Sequence, residues 1–166
     1  MASQDKLDRT YMNMAVELSK LSYAKRKQVG CLIVKNTQII SEGYNGTPKG
    51  FPNDCECLDN ITKPEVLHAE SNAISKIARS TNSSDGSTLY VTLAPCFGCS
   101  KLIIQSGIRR VVYKDDYRED GLALLRSAGV KVDKITYPSS KEYYPDDHED
   151  EFGNGHYKGS YYGDPL

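Results

Sequence analysis

Two short segments carry side chains able to hold a metal ion beside an acid–base group. One is His68-Ala69-Glu70, and the other is Pro95-Cys96-Phe97-Gly98-Cys99, after 24 intervening residues. Taken singly, each has an ordinary explanation. A histidine that opens a helix is usually a capping or surface residue, and a C-x-x-C pair opening a helix after a strand also suits a redox couple. Together they suit zinc, which takes four tetrahedral ligands but only three from the protein where it keeps a place for water. Cys96 and Cys99 are three apart, so both sulfurs point to one side of a first helical turn. His68 can add the third donor from the preceding helix. A helix N-terminus favours thiolates, which is the form zinc needs. Glu70, two residues past His68, puts a carboxylate beside water whose pKa zinc lowers to about 7. It can take that proton and hand it on. A purely structural zinc site has no use for such a group, and a redox C-x-x-C pair would need no metal.

The elements that must hold these residues follow from periodicity. A helix is predicted over Asp5–Ser22, with Leu7, Tyr11, Ala15, Leu18 and Leu21 at helical spacing. Val29–Val34 is an apolar run of strand length, Lys35-Asn36 a turn, and Gln38–Tyr44 its hairpin partner. Residues 45–67 hold three Pro and two Gly, and a connection of that length is usually functional or disordered. A helix is predicted from His68, with Ala73, Ile74 and Ile77 on one face. Strand, helix, strand, helix, strand then follow over Thr88–Leu93, Cys96–Gln105, Arg110–Tyr113, Glu119–Ala128 and Val130–Lys134, with Gly107 and Gly129 as stops. About five strands with helices between them make a layered α/β sheet.

Composition narrows the class. The chain has 166 residues, 39% hydrophobic and 26% charged, which suits one soluble domain. No apolar run nears the ~20 residues of a membrane span. The polar start, Met1–Arg9, reads as no secretion signal. Five cysteines, an odd number, point to reduced thiols in a cytosol-like compartment. Residues 1–136 carry a net charge of +4 and residues 137–166 one of −5. The first value is too small for a nucleic-acid groove but suits a small phosphorylated ligand. Six of the 12 tyrosines lie at or after Tyr137, so residues 137–166 read as an acidic Tyr- and Gly-rich arm or tail, and 1–136 as the domain. Cys31 falls in a predicted core strand and reads as a small buried hydrophobe. Cys55-Glu56-Cys57 raises a second, structural zinc as an alternative, but His148 and His156 lie in the tail and offer no obvious partner.

The order H-x-E then P-C-x-x-C is the signature of nucleobase deaminases. Over about residues 10–135 the chain resembles the deoxycytidylate (dCMP) deaminases, including short phage-type members. The resemblance is carried by Arg26-Lys27-Gln28-Val29-Gly30, Gly43–Gly50, His68–Ile74, Leu93–Cys99, Lys101–Ile108 and Asp116-Tyr117. The Gly43-Tyr44-Asn45-Gly46-Thr47-Pro48 segment is the most diagnostic, since nucleoside and tRNA deaminases usually lack it. The resemblance implies a three-layer α-β-α fold around a mixed sheet of about five strands. It also implies hydrolysis of dCMP to dUMP and ammonia, a supply of dUMP for thymidylate synthesis. His68, Cys96 and Cys99 would hold one Zn2+. Glu70 would protonate the ring nitrogen and then the departing amine. The backbone at Ala69 and Ala94 would meet the base edge, and Asn45 the sugar and base, although shaping its own Gly-flanked turn competes for Asn45. Arg26 is the leading phosphate donor, since guanidinium binds phosphate bidentately, with Ser22 and Tyr117 behind it. Activation by dCTP with Mg2+, inhibition by dTTP and a cytoplasmic homohexamer (in host cytosol if viral) are also implied. The 45–67 loop would be the effector site, with Lys49 and Asn53 contributing. No membrane and no stable nucleic-acid partner is expected. The competing readings are a nucleoside, free-base or tRNA deaminase on the same fold, or a non-catalytic zinc module.

Overall fold

The computed structural model describes residues 2–137. Apart from Tyr137, the expected C-terminal arm, with His148 and His156, lies outside the described residues. In chain order the elements are α1 (Gln4–Ser19), β1 (Gly30–Lys35), β2 (Gln38–Tyr44), α2 (Ala69–Ile77), β3 (Thr88–Leu93), α3 (Phe97–Gln105), β4 (Arg110–Asp115), α4 (Glu119–Ser127) and β5 (Lys131–Lys134). No helix among them is long and apolar enough to cross a membrane.

The strands form one sheet in the order β2-β1-β3-β4-β5. β1 pairs antiparallel with both β2 and β3, while β3–β4 and β4–β5 are parallel. The mixed pattern follows from the connections. Asn36 and Thr37 both have positive φ, 50° and 63°, as a tight two-residue hairpin turn of type I′ demands. The turn therefore sits one residue later than Lys35-Asn36. Tyr11 helps to fix it by donating to the Thr37 carbonyl at 2.8 Å. Parallel neighbours instead need a crossover, which α3 and α4 supply.

Alternation along the strands makes two cores. Cys31, Ile33, Leu89, Val91, Val111 and Tyr113 pack on one face with Ala69, Ala73 and Ile77 of α2, Ile103 of α3 and Leu122 and Leu125 of α4. Leu32, Val34, Tyr90 and Val112 pack on the other with Tyr11, Met12 and Ala15 of α1. The result is three layers, with α1 alone against α2, α3 and α4, and Cys31 sits in the core as a buried apolar residue.

Two boundaries differ from expectation by more than one residue, and both bear on the site. α1 ends at Ser19, not Ser22, and Leu21 is 55% exposed instead of closing the apolar stripe. The chain turns there because the Ser22 hydroxyl is drawn to the Asn45 carbonyl at 2.7 Å. β4 runs two residues beyond Tyr113 because Asp115 pairs with Leu93 at the end of β3. Both strands thus deliver their C-terminal ends to the same edge.

Candidate metal centre and cleft

His68 and Cys96 are the N-cap residues of α2 and α3. Each has extended backbone, as a cap position requires. The imidazole makes no capping bond to its own helix. Its Nδ1 lies 3.5 Å from Cys96 Sγ and 3.4 Å from Cys99 Sγ. All three donor atoms fall within 4.8 Å of one another. Two ligands on a tetrahedral zinc, one sulfur at ~2.3 Å and one nitrogen at ~2.0–2.1 Å, sit about 3.6 Å apart. The donor types and their spacing therefore fit that ion. Among the described residues no other group of His, Cys, Asp or Glu is spaced for a metal, so Cys55 (buried) and Cys57 (exposed) belong to none.

The electrostatics agree with the donor set. Hydrogen bonding from Cys99 and from His68 pulls the Cys96 thiol down to about 3, against its burial. Hydrogen bonding to Cys96, and then burial, push Cys99 up. Cys96 thus favours the thiolate, the form in which a thiol binds a metal ion. Cys99 N–H also donates to Cys96 Sγ at 3.5 Å, placing that sulfur on the positive end of α3. Behind the trio lies Glu70, 4% exposed in the first turn of α2. Burial pushes its carboxyl up to about 7, against the pull of its own backbone N–H and of His68.

Close backbone contacts hold the two helix N-termini in place. A Cβ on Gly43 would lie 2.3 Å from the Ala69 carbonyl and 2.6 Å from Ala73 N, so only glycine lets α2 lie this close on β2. A Cβ on Gly121 would lie 2.1 Å from the Pro95 carbonyl, so α4 presses directly on the turn that carries Cys96. Gly46 and Leu67 exchange both backbone bonds, at 3.1 and 2.9 Å, which pins the residue before His68 to the end of β2. Asn72 adds a bond to the Tyr44 carbonyl at 2.9 Å.

A cleft of about 410 Å³ opens beside the trio. Arg26, Asn45, Ala69, Ala94 and Tyr117 all line it, as do His68 and Glu70. Ser22 does not: it is buried, donating to the Asn45 carbonyl and accepting from Ala24 N–H at 3.2 Å. Lys49 and Asn53 are exposed on the 45–67 loop and are not on the wall. The Asn45 amide is engaged on the protein itself, accepting from Val29 N–H at 2.8 Å and donating to the Lys27 carbonyl at 2.9 Å. Ala94 N–H is taken by the Asp115 carbonyl at 2.8 Å. Tyr117 is half exposed, with the Arg118 guanidinium over its ring.

Sequence reasoning missed several wall residues, among them Lys27, Thr62, Val66, Asp116 and above all Glu56. Glu56 is 6% exposed and forms a bridge with Thr62 inside the 45–67 loop. Its Oε1 accepts from Lys25 N–H at 3.0 Å and Arg26 N–H at 3.3 Å. The signal was a carboxylate between two cysteines, which reads more readily as part of a metal motif.

The family described as the cytidine and deoxycytidylate deaminase zinc-binding region matches residues 5–115. A deoxycytidylate deaminase of Saccharomyces cerevisiae is 35% identical over 78% of this chain, but the match spans only 45% of that protein's length. One from Enterobacteria phage T4 is 33% identical over 74% of this chain and 86% of its own. Among solved structures, the dCMP deaminase of cyanophage S-TIM5 in complex with dCMP and dUMP superposes with a TM-score of 0.78. It is 44% identical, over 81% of this chain and 100% of that one.

Proposed function

The chain belongs to the cytidine and deoxycytidylate deaminase zinc-binding family, and from that membership we propose that it hydrolyses the exocyclic amine of dCMP, releasing dUMP and ammonia. The observation that carries the reading is the meeting of His68, Cys96 and Cys99 at zinc-ligand spacing, with His68 and the buried Glu70 on the wall of a cleft that also holds Arg26. The chain spans about half the length of the yeast relatives it matches, while it matches most of the phage T4 enzyme.

In this proposal His68, Cys96 and Cys99 hold the ion. Zinc supplies, when bound, a Lewis acid that makes water nucleophilic at neutral pH. Glu70 carries the proton from that water to the ring nitrogen next to the amine-bearing carbon, and then to the departing amine. Its raised carboxyl suits both giving and taking a proton near neutrality. Ala69 opens α2, where backbone N–H groups lack helical partners, and so offers a donor to the base edge. Ala94 has its N–H occupied, so a base contact there falls to its carbonyl. Asn45 acts by holding the Lys27–Val29 segment on the wall, and Ser22 acts behind it through the Asn45 carbonyl. Arg26 takes the phosphate, with Lys27 and Tyr117 on the same wall.

The finer expectations belong to the same proposal: residues 1–136 as the catalytic domain, a cytoplasmic homohexamer, activation by dCTP with Mg2+ and inhibition by dTTP, with exposed Lys49 and Asn53 as effector contacts. The experiment is a zinc determination with steady-state turnover of dCMP, deoxycytidine and tRNA, each with and without dCTP and dTTP. One zinc per chain and turnover confined to dCMP support the substrate. Equal turnover of deoxycytidine or any turnover of tRNA overturns it. A hyperbolic dCMP rate curve unmoved by either triphosphate ends the regulatory part alone.

A further inference from the structure

We propose that Glu56 selects the sugar of the substrate, its second carboxylate oxygen accepting a hydrogen bond from the 3′-hydroxyl of a deoxyribonucleotide. The inference rests on the nucleotide reading above and deepens it. Among the described residues, two buried side-chain oxygens lack a hydrogen-bond partner, Glu56 Oε2 and Ser100 Oγ. Of those two residues only Glu56 lines the cleft. A buried carboxylate oxygen is costly to leave unpaired, and a protein keeps one where a ligand completes it. Oε1 is already committed to the backbone N–H groups of Lys25 and Arg26, which locks the carboxylate's orientation. The free oxygen therefore belongs to a group that cannot swing away.

Its neighbours say which part of a nucleotide it meets. Arg26, bonded through its backbone to Glu56 and through its guanidinium to Thr62 at 3.5 Å, is on the same wall. His68 and Glu70 line that wall as well. A molecule that reaches from a metal trio to a guanidinium has its sugar between base and phosphate, and in a deoxyribonucleotide that sugar has one free hydroxyl donor. Of the other acceptors on the wall, the Asn45 amide already bonds both flanking backbone segments, Asp116 is paired with Lys134, and the Thr62 hydroxyl accepts from the Arg26 guanidinium. A carboxylate near a phosphate is tolerable because Arg26 and Lys27 share the wall.

The test is the ratio of kcat/KM for dCMP to that for its 2′,3′-dideoxy analogue. In the zinc-loaded wild type this ratio is expected to be about 10 to 100, the range for a lost hydrogen bond to a charged group. Glu56→Gln keeps an oxygen for Lys25 and Arg26 but offers no anionic acceptor, and should lower the ratio about tenfold. Glu56→Met should bring it near one. A wild-type ratio near one overturns the inference without any variant. If Glu56 served only to brace the Arg26 turn, both substrates would fall by the same factor and the ratio would not move, which also overturns it. A wild type that turns over no dCMP overturns the nucleotide reading first, and this inference with it.

Discussion

A single imidazole nitrogen of His68 lies within 3.5 Å of both Cys96 Sγ and Cys99 Sγ. Removing either thiol leaves two donors, too few to retain zinc. Cys99→Ala is expected to lose bound zinc and turnover together, read by metal analysis on the folded protein. Glu70→Gln separates the two properties. It is expected to keep about one zinc per chain while kcat for dCMP falls about 10²- to 10⁴-fold, the usual worth of a positioned proton carrier. Arg26→Ala acts on a third property. The Michaelis constant for dCMP is expected to rise about 10- to 100-fold, the worth of charge-assisted bonds to phosphate, with deoxycytidine unaffected. Equal effects on the two substrates would remove the phosphate role. His68, Glu70, Cys96 and Cys99 were legible because their types and order are restrictive even without a fold. Glu56 was not, because nothing local to Cys55-Glu56-Cys57 says that its carboxylate folds back onto the Arg26 turn 30 residues earlier.

Elements matter here through the places where backbones touch. β2 and α2 approach so closely at Gly43 that a methyl group would overlap the Ala69 carbonyl. Gly43→Ala is expected to destabilise the fold by about 1–3 kcal/mol, as overpacking does. Because the obstructed residue lies between His68 and Glu70, zinc affinity should fall as well. Urea unfolding and zinc titration of the same variant check the two effects, and a destabilised variant with native zinc affinity would refute the positional role of this contact. Periodicity and turn or stop residues placed the nine elements, since strands alternating every two residues, helices every three or four and glycine stops are local patterns. It overran α1 by three residues and stopped β4 two short, because those ends depend on Ser22 reaching Asn45 and on Asp115 pairing with Leu93. The 45–67 loop, unreadable as regular structure, is held by its own bonds, including Lys63 N–H to the Cys55 carbonyl at 2.9 Å.

Across the whole molecule, α1 is tied to the sheet by a partly buried polar cluster, none of whose members lines the cleft. Arg110 bonds both oxygens of Asp8, at 2.8 and 2.7 Å, and also Asp133, while Tyr90 donates to Asp8 at 2.7 Å. Burial works to raise the Asp8 carboxyl, but the bonds from Arg110, Tyr90 and Gln4 outweigh it and hold the group below its ordinary value. A folded value below the unfolded one, about 3.9, means stability that is fully present above that pH and lost as pH falls through the folded value. Asp8→Asn is expected to cost about 2–4 kcal/mol at pH 7, with a smaller difference from wild type at pH 3. Urea midpoints at the two pH values check this, and a gap that widens in acid would contradict the sign.

By itself the sequence determined the chemistry on offer and the alternating layers that would carry it, because ligand types, the Glu70 offset and hydrophobic period are all properties of neighbours along the chain. Only the tertiary structure decided which groups meet across distance. It brought two helix N-termini to one point, turned the Asn45 amide inward and left one oxygen of Glu56 without a partner at the cleft. Those outcomes depend on sheet register and on backbone approach at Gly43 and Gly121, which are energies of packing between segments far apart in sequence and leave no trace in any one of them.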